Sequence, residues 1–86
     1  MLTEESIAEH LEWARQQVCL PIDPGCHALP YTPAQANATM RADGWIKIGW
    51  ITADHGRLAW DAWYNEGTGE GRLRQTSGQA VRTGGG

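Results

Sequence analysis

Two cysteines and a neighbouring histidine are the residues best suited to metal binding or nucleophilic chemistry in this chain. Cys19, Cys26 and His27, joined by His55 or His10, would supply the thiolate and imidazole groups that zinc prefers. The sequence lacks the closely spaced cysteine pair of a structural zinc site, so we predict no metal and no cofactor. We expect the two cysteines to be free thiols, and a disulfide between them is the alternative.

Catalysis by a cysteine would also require a base and a group that orients this base. His55 and Asp54 have the right chemistry, but they lie in the segment ADHGR, which is typical of a hairpin turn. The glycine-rich segment GTGEG, residues 67–71, is not followed by the Gly-Lys-Ser/Thr sequence of a phosphate-binding loop. We therefore predict no catalytic residues and no enzymatic activity.

Tryptophan is the other unusual feature, because the chain has five tryptophans and no phenylalanine. Four of them lie in the segment GWIKIGWITADHGRLAWDAWYN, residues 44–65. This segment predicts a β-hairpin, and a loop of Asp54, His55 and Gly56 would set its register. One face is then almost wholly apolar, and its cross-strand pairs are Thr52 with Leu58, Trp50 with Trp60, Ile48 with Ala62, and Ile46 with Tyr64.

The second face of the predicted hairpin carries both apolar and polar side chains. Its cross-strand pairs are Ile51 with Ala59, Gly49 with Asp61, Lys47 with Trp63, and Trp45 with Asn65. Helices usually cover one face of a small sheet and leave the other in contact with solvent. We therefore expect Trp50 and Trp60 in the core and Trp45 and Trp63 outside it, with Lys47 on the Trp63 ring. The alternative is that a helix covers the second face as well.

Two helices are predicted to pack on these strands. The first is expected from Glu4 to Val18, since Thr3 can cap it and an apolar stripe follows at helical spacing; Trp13 lies on its polar side.

The sequence signals the start of the second helix more clearly than its end. Its start is predicted by Thr32, Pro33 and Gln35, and we expect it to end at Asp43 and Gly44. The segment between the helices, LPIDPGCHALPYTP, contains all four prolines and is expected to be an irregular connection.

These elements together predict an α+β fold, in which an N-terminal helix and a short second helix pack on a small antiparallel sheet of three to four strands. A third strand is expected around residues 72–76, and a short fourth strand beyond Ser77 and Gly78. We expect residues 1–83 to form a single domain and residues 84–86 to be a disordered tail.

The charge pattern restricts the classes of partner. Ten acidic residues and seven basic residues give a net charge of −3, which argues against direct nucleic-acid binding. Acidic residues concentrate near the start and arginines near the end, so one end suits a basic partner and the other an acidic one. Without a signal-peptide pattern or a long apolar run, we expect a cytoplasmic protein that does not bind membranes.

The tryptophans outside the apolar faces predict a protein-binding surface, because tryptophan is enriched at interface hot spots. The predicted partner-binding residues are Trp13, Trp45, Lys47, Asp61, Trp63, Glu4, Glu5, Glu9 and Glu12. The four glutamates suit a protein partner with a basic surface, and self-association as a homodimer is a further expectation.

The predicted function is therefore that of a non-enzymatic protein-interaction module. In size and charge the chain is similar to phage-encoded inhibitors, anti-CRISPR proteins among them, which occupy a basic surface of a host protein that handles nucleic acid. The alternative function is a small-molecule or nucleotide-binding module, in which tryptophan rings wall a pocket and Arg72 and Arg74 supply charge.

Overall fold

The first helix follows the sequence prediction closely. In the computed structural model, which describes residues 2–19 and 25–77, α1 spans Glu4–Val18. The hydroxyl of Thr3 accepts a hydrogen bond from the Ser6 backbone N–H at 3.1 Å, which caps the helix. The apolar stripe lies against the sheet, where Ile7, Leu11 and Ala14 are buried.

The second helix, α2, spans Pro33–Asn37 and is shorter than predicted. Its start is as expected, because Thr32 and Gln35 form a reciprocal capping box. The predicted end near Asp43 is wrong, because Thr39 leaves the helix to bind the edge of the sheet. The Thr39 hydroxyl donates to the Ala36 carbonyl and accepts from the Lys47 backbone N–H, both at 2.7 Å.

The sheet contains four antiparallel strands in the order β1-β2-β3-β4. Their bounds are His27–Pro30 for β1, Trp45–Ala53 for β2, Leu58–Asn65 for β3 and Gly71–Ser77 for β4. This arrangement confirms the predicted α+β fold with two helices and one antiparallel sheet. The strand predicted beyond Gly78 and the tail at residues 84–86 lie outside the described residues.

The edge strand β1 corrects the expectation that the proline-rich segment is irregular throughout. Residues 27–30 pair with β2, and Pro30 lies at the end of an edge strand, where its missing N–H costs no ladder hydrogen bond. The expectation of free thiols is also wrong, because Cys19 at the end of α1 and Cys26 before β1 form a disulfide. This bond fixes the edge strand to the helix.

The β2–β3 hairpin has a different register from the predicted one at its loop end. Ala53 pairs with Leu58, so the loop contains residues 54–57 and not the three residues expected. Ile51 therefore pairs with Trp60, and Trp50 pairs with Asp61. The predicted pairs of Thr52, Ile51, Trp50 and Gly49 are all shifted by one residue, and Gly49 takes the place opposite Ala62 that was predicted for Ile48.

A β-bulge between Lys47 and Gly49 removes this shift in the half of the hairpin that lies away from the loop. Beyond the bulge the predicted pairs Lys47 with Trp63, Ile46 with Tyr64, and Trp45 with Asn65 are confirmed. Gly49 is required at this place, since a Cβ atom there would lie 2.5 Å from the Leu29 carbonyl oxygen.

The bulge decides which side chains of β2 enter the core. Ile46, Ile48 and Ile51 are at most 1% exposed and pack under α1, whereas Trp50 is 42% exposed. The prediction that Trp50 is a core residue is therefore wrong, and Ile51 takes the core position. Trp60 packs against the core as expected and is partly buried.

Both helices contribute to this one core, since Ala36 of α2 belongs to the same buried cluster as the residues of α1. The side of the sheet that carries Trp50 is therefore opposite to the helices. In the described residues, neither helix is long and apolar enough to cross a membrane.

Candidate functional site

The candidate site is the side of the sheet opposite α1, which we call the outer face. Four of the predicted partner-binding residues, Trp45, Lys47, Asp61 and Trp63, project together from β2 and β3 on this face. Trp50 of β2 and the β4 residues Arg72 and Arg74 also lie on this face. The alternative that a helix covers this second face is wrong for the described helices, because both pack on the core side.

Two arginine–tryptophan pairs dominate the outer face. The guanidinium carbon of Arg72 lies 4.3 Å from the centre of the Trp45 ring, and that of Arg41 lies 4.5 Å from the centre of the Trp63 ring. Such contacts contribute about 0.5–1 kcal/mol each at exposed sites and hold the planar guanidinium in one orientation. Each tryptophan is therefore partly covered by a cation that comes from another part of the chain.

Lys47 makes a second cluster on the same face. Its Nζ atom lies 3.1 Å from an Asp61 carboxylate oxygen. It does not lie on Trp63, which was the prediction, because Arg41 occupies that ring. The ammonium group instead lies 5.4 Å from the centre of the Tyr31 ring and 5.9 Å from that of Trp50.

The electrostatic balance at Lys47 is favourable to its charged form. Partial burial of the ammonium lowers the pKa of Lys47, but hydrogen bonds to Tyr31 and Asp61 outweigh this cost, and the net pKa is raised. Lys47 and Asp61 thus form a structural ion pair that anchors the middle of the outer face.

A cleft lies between the two arginine–tryptophan pairs. It has a volume of about 210 Å³ and is lined by Arg41, Asp43, Trp45, Trp63, Arg72 and Arg74. In the part of the chain that the structure describes, none of these three arginines has a carboxylate within ion-pair distance. We call this feature the arginine cleft.

Asn65 at the end of β3 is buried, with 6% exposure, and contacts Asp43 and Trp45, which line the arginine cleft. Its side-chain amide donates to the Asp43 carbonyl at 3.2 Å, and its Oδ1 atom accepts from the Gly67 and Thr68 backbone N–H groups at 2.9 and 3.3 Å. Asn65 therefore ties the turn before β2 to the turn before β4.

The other predicted partner-binding residues lie on the opposite side of the molecule. Trp13 is 45% exposed on α1, and its ring lies over Gly71, where a Cβ atom would be 2.6 Å from the ring. Glu12 is engaged by Arg15, whose hydrogen bonds lower the pKa of Glu12 to about 2. The structure therefore does not bring these α1 residues, with Glu4, Glu5 and Glu9, together with the outer face.

A second cleft lies on the helix side of the sheet. Its volume is about 360 Å³, and it is lined by His10, Trp13, Ala14, Ile48, Ala62, Trp63, Gly69 and Gly71. The His10 ring stacks on the Tyr64 ring with a centroid distance of 3.8 Å. This cleft has a mostly apolar lining and one imidazole, so it suits a small apolar molecule better than an anion.

The residues considered for metal binding or catalysis are not assembled into a reactive site. Cys19 and Cys26 are bonded to each other, which removes both thiolates as ligands or nucleophiles. His55 lies in the exposed hairpin loop. Among the described residues, no group of three or more His, Cys, Asp or Glu side chains is placed to hold a metal ion.

Sequence reasoning missed Arg41, Tyr31 and Trp50 as members of the outer face. The sequence predicts Arg41 in the second helix and Tyr31 in an irregular connection, and neither prediction places these residues near the tryptophans. The only available signal was the position of Arg41 just before a strand that carries an outward tryptophan. No known protein family, curated protein or solved structure matches this chain, so its function has to be inferred from the outer face and the clefts themselves.

Proposed function

We propose that the chain is a non-enzymatic protein-interaction module whose outer face binds an acidic segment of a partner protein. The observation that carries this proposal is the pair of arginine–tryptophan contacts on a sheet face that neither helix covers. Tryptophan and arginine are the residue types that contribute most to binding free energy at protein interfaces.

The charge of the outer face supports an acidic partner. Four basic side chains, Arg41, Lys47, Arg72 and Arg74, stand against two carboxylates, Asp43 and Asp61, which leaves a local charge of +2 in a chain of net charge −3. Complementary charge steers association and excludes partners of the wrong sign.

The sequence-based hypothesis of a partner with a basic surface concerns a different part of the molecule. Glu4, Glu5 and Glu9 are exposed on α1, on the other side of the sheet. The inhibitor hypothesis, in which the chain occupies a basic surface of a nucleic-acid-handling protein, depends on that helix and is separate from the proposal for the outer face.

Charge reversal on β4 tests the proposal. The probe is a fluorescent peptide of alternating glutamate and glycine, with binding measured by anisotropy at low salt. We expect the double substitution Arg72→Glu and Arg74→Glu to weaken binding by at least about tenfold, because both guanidinium groups meet the peptide. Affinity capture from the native host with the same variants would then identify the partner.

Arg57→Glu is the matched control, since Arg57 is exposed in the hairpin loop, about 13 Å along the strands from the level of Arg74 and about 20 Å from that of Arg72. It changes the net charge by the same amount per residue and should leave binding unchanged at moderate salt. If Arg57→Glu weakened binding as much as the substitutions on β4, the loss of binding would be explained by the net charge of the chain. That result would contradict a defined site on the outer face.

A second candidate function is small-molecule binding, and it is favoured by the cleft of about 360 Å³ beside Trp13. A thermal-shift screen with small aromatic compounds tests it, because a ligand that binds the folded state raises the melting temperature. The stabilisation should disappear in Trp13→Ala, since Trp13 forms one wall of this cleft.

A further inference from the structure

We propose that the arginine cleft is a receptor for a phosphate monoester, carried as a phosphorylated serine or threonine by the acidic segment of the partner. This inference rests on the proposed function and names the group that the outer face recognises. The cleft brings three guanidinium groups and two indole rings around a space of about 210 Å³.

The charge of the cleft matches a phosphate better than a carboxylate. Its lining contains three arginines and one aspartate, Asp43, which gives a local charge of +2. A phosphate monoester carries about −1.5 to −2 at neutral pH, whereas a glutamate carries a single charge. Only the phosphate neutralises the site, and its three terminal oxygens can accept bonds from more than one arginine.

The geometry of the arginines also suits this role. Arg72 and Arg41 are each held against an indole ring, so less side-chain freedom is lost when they bind an anion. Guanidinium groups bind phosphate through parallel pairs of N–H donors, which a planar and oriented group presents well. Arg74 lines the same cleft from the next outward position of β4 and adds a third set of donors.

The same contacts argue for a phosphorylated protein segment over single-stranded nucleic acid. Bases bind to such proteins by stacking on aromatic rings, but Arg72 and Arg41 already lie against the Trp45 and Trp63 rings. The carboxylates of Asp43 and Asp61 would also repel a continuous phosphate backbone, whereas a single phosphate can be placed between the arginines.

The test compares three short peptides of one glutamate- and glycine-containing sequence, with phosphoserine, serine or glutamate at the central position. Binding is measured by calorimetry with the full chain. We expect the phosphoserine peptide to bind about tenfold more tightly than the glutamate peptide. This preference should decrease as the pH falls below about 6, where the phosphate gains its second proton.

Arg72→Lys separates the shape of the guanidinium from its charge. The variant should keep weak binding of all three peptides but lose most of the preference for phosphoserine, because lysine cannot form the paired contact. Arg57→Lys in the hairpin loop is the control and should keep the full preference. Circular dichroism of both variants confirms that each is folded.

The outcomes distinguish the two proposals. If the glutamate and phosphoserine peptides bind equally, the phosphate receptor is wrong and the acidic-partner function stands. If no peptide binds, both proposals fail. If oligo-deoxythymidine binds as tightly as the phosphoserine peptide and depends equally on Arg72, or if inorganic phosphate alone binds as tightly as that peptide, a phosphorylated protein segment is not the ligand.

Discussion

At the scale of single residues, the side chain of Asn65 makes three hydrogen bonds to the backbone of two different turns. Its amide connects Asp43 before β2 with the backbone of residues 67 and 68, and among the described residues it is the one classed as buried and polar. A buried polar group that loses its partners costs about 1–3 kcal/mol, so the network of Asn65 is sensitive to small changes.

We predict that Asn65→Ala lowers the free energy of unfolding by about 2–3 kcal/mol, because the Asp43 carbonyl and two backbone N–H groups lose their partner. Asn65→Asp should cost less, since a carboxylate still accepts from Gly67 and Thr68 but cannot donate to Asp43. Urea unfolding monitored by tryptophan fluorescence measures both. Equal effects of the two substitutions would show that the acceptor bonds from Gly67 and Thr68 contribute nothing.

Lys47 is the only lysine of the chain, which makes its titration easy to isolate. Hydrogen bonds to Tyr31 and Asp61 raise its pKa in the folded state despite partial burial. The stabilisation from this ion pair is therefore complete below the unfolded pKa of about 10.4 and is lost as the pH rises through the higher folded value.

We predict a coupling of about 0.5–1 kcal/mol between Lys47→Met and Asp61→Asn in a double-mutant cycle at pH 7, since both groups are only about one-fifth exposed. The coupling should disappear when the cycle is repeated well above the folded pKa of Lys47. A coupling that is the same at both pH values would mean that the two side chains interact by packing and not by charge.

At the scale of secondary-structure elements, the hairpin shows what a sequence can and cannot specify. The loop contains one residue more than expected, and β2 contains one extra residue at the bulge. These two differences compensate each other, so the cross-strand pairs of residues 45–47 are the predicted ones. The outer face was therefore predicted with the right tryptophans, Trp45 and Trp63, although half of the register was wrong.

The bulge could not be predicted because its cause is not local. Gly49 approaches the carbonyl of Leu29 in β1. The prolines around this strand predict an irregular connection, so the strand itself is not expected from the sequence. The helix starts were predictable because capping depends on residues three positions apart. Contacts that join distant segments, such as Arg41 with Trp63, left no comparable signal in the sequence.

Alanine substitutions at Trp50 and Ile51 test the bulge directly. Ile51 is fully buried, so Ile51→Ala should cost about 2–5 kcal/mol, whereas Trp50→Ala at a 42% exposed position should cost less than about 1.5 kcal/mol. The register without a bulge gives the reverse order. Chemical unfolding of the two variants decides between them, and Gly49→Ala should be strongly destabilising because its Cβ atom meets the Leu29 carbonyl.

At the scale of the whole molecule, one sheet separates two surfaces of opposite charge. The exposed glutamates lie on α1, and the arginines of the outer face lie on the other side. The sequence indicated this asymmetry, because the acidic residues precede the arginines along the chain. It did not indicate that the two surfaces face in opposite directions, which follows only from the packing of α1 on the sheet.

The disulfide also acts on the molecule as a whole, because it joins the end of α1 to the edge strand of the sheet. Cross-linking two residues seven positions apart restricts the unfolded chain and contributes about 2–3 kcal/mol in the chain-entropy account. Such bonds are typical of oxidising compartments, so the cytoplasmic location stays a prediction that the disulfide does not favour.

We predict that reduction lowers the melting temperature by about 8–20 °C, as expected for a domain of this size that loses this stabilisation. The double substitution Cys19→Ser and Cys26→Ser should show the same lower melting temperature with and without reductant, which controls for other effects of the reductant. Binding of the acidic peptide to the outer face should survive reduction below the new melting temperature, because neither cysteine lines the arginine cleft. An unchanged melting temperature of the native chain on full reduction would show that α1 and β1 are held together by packing alone.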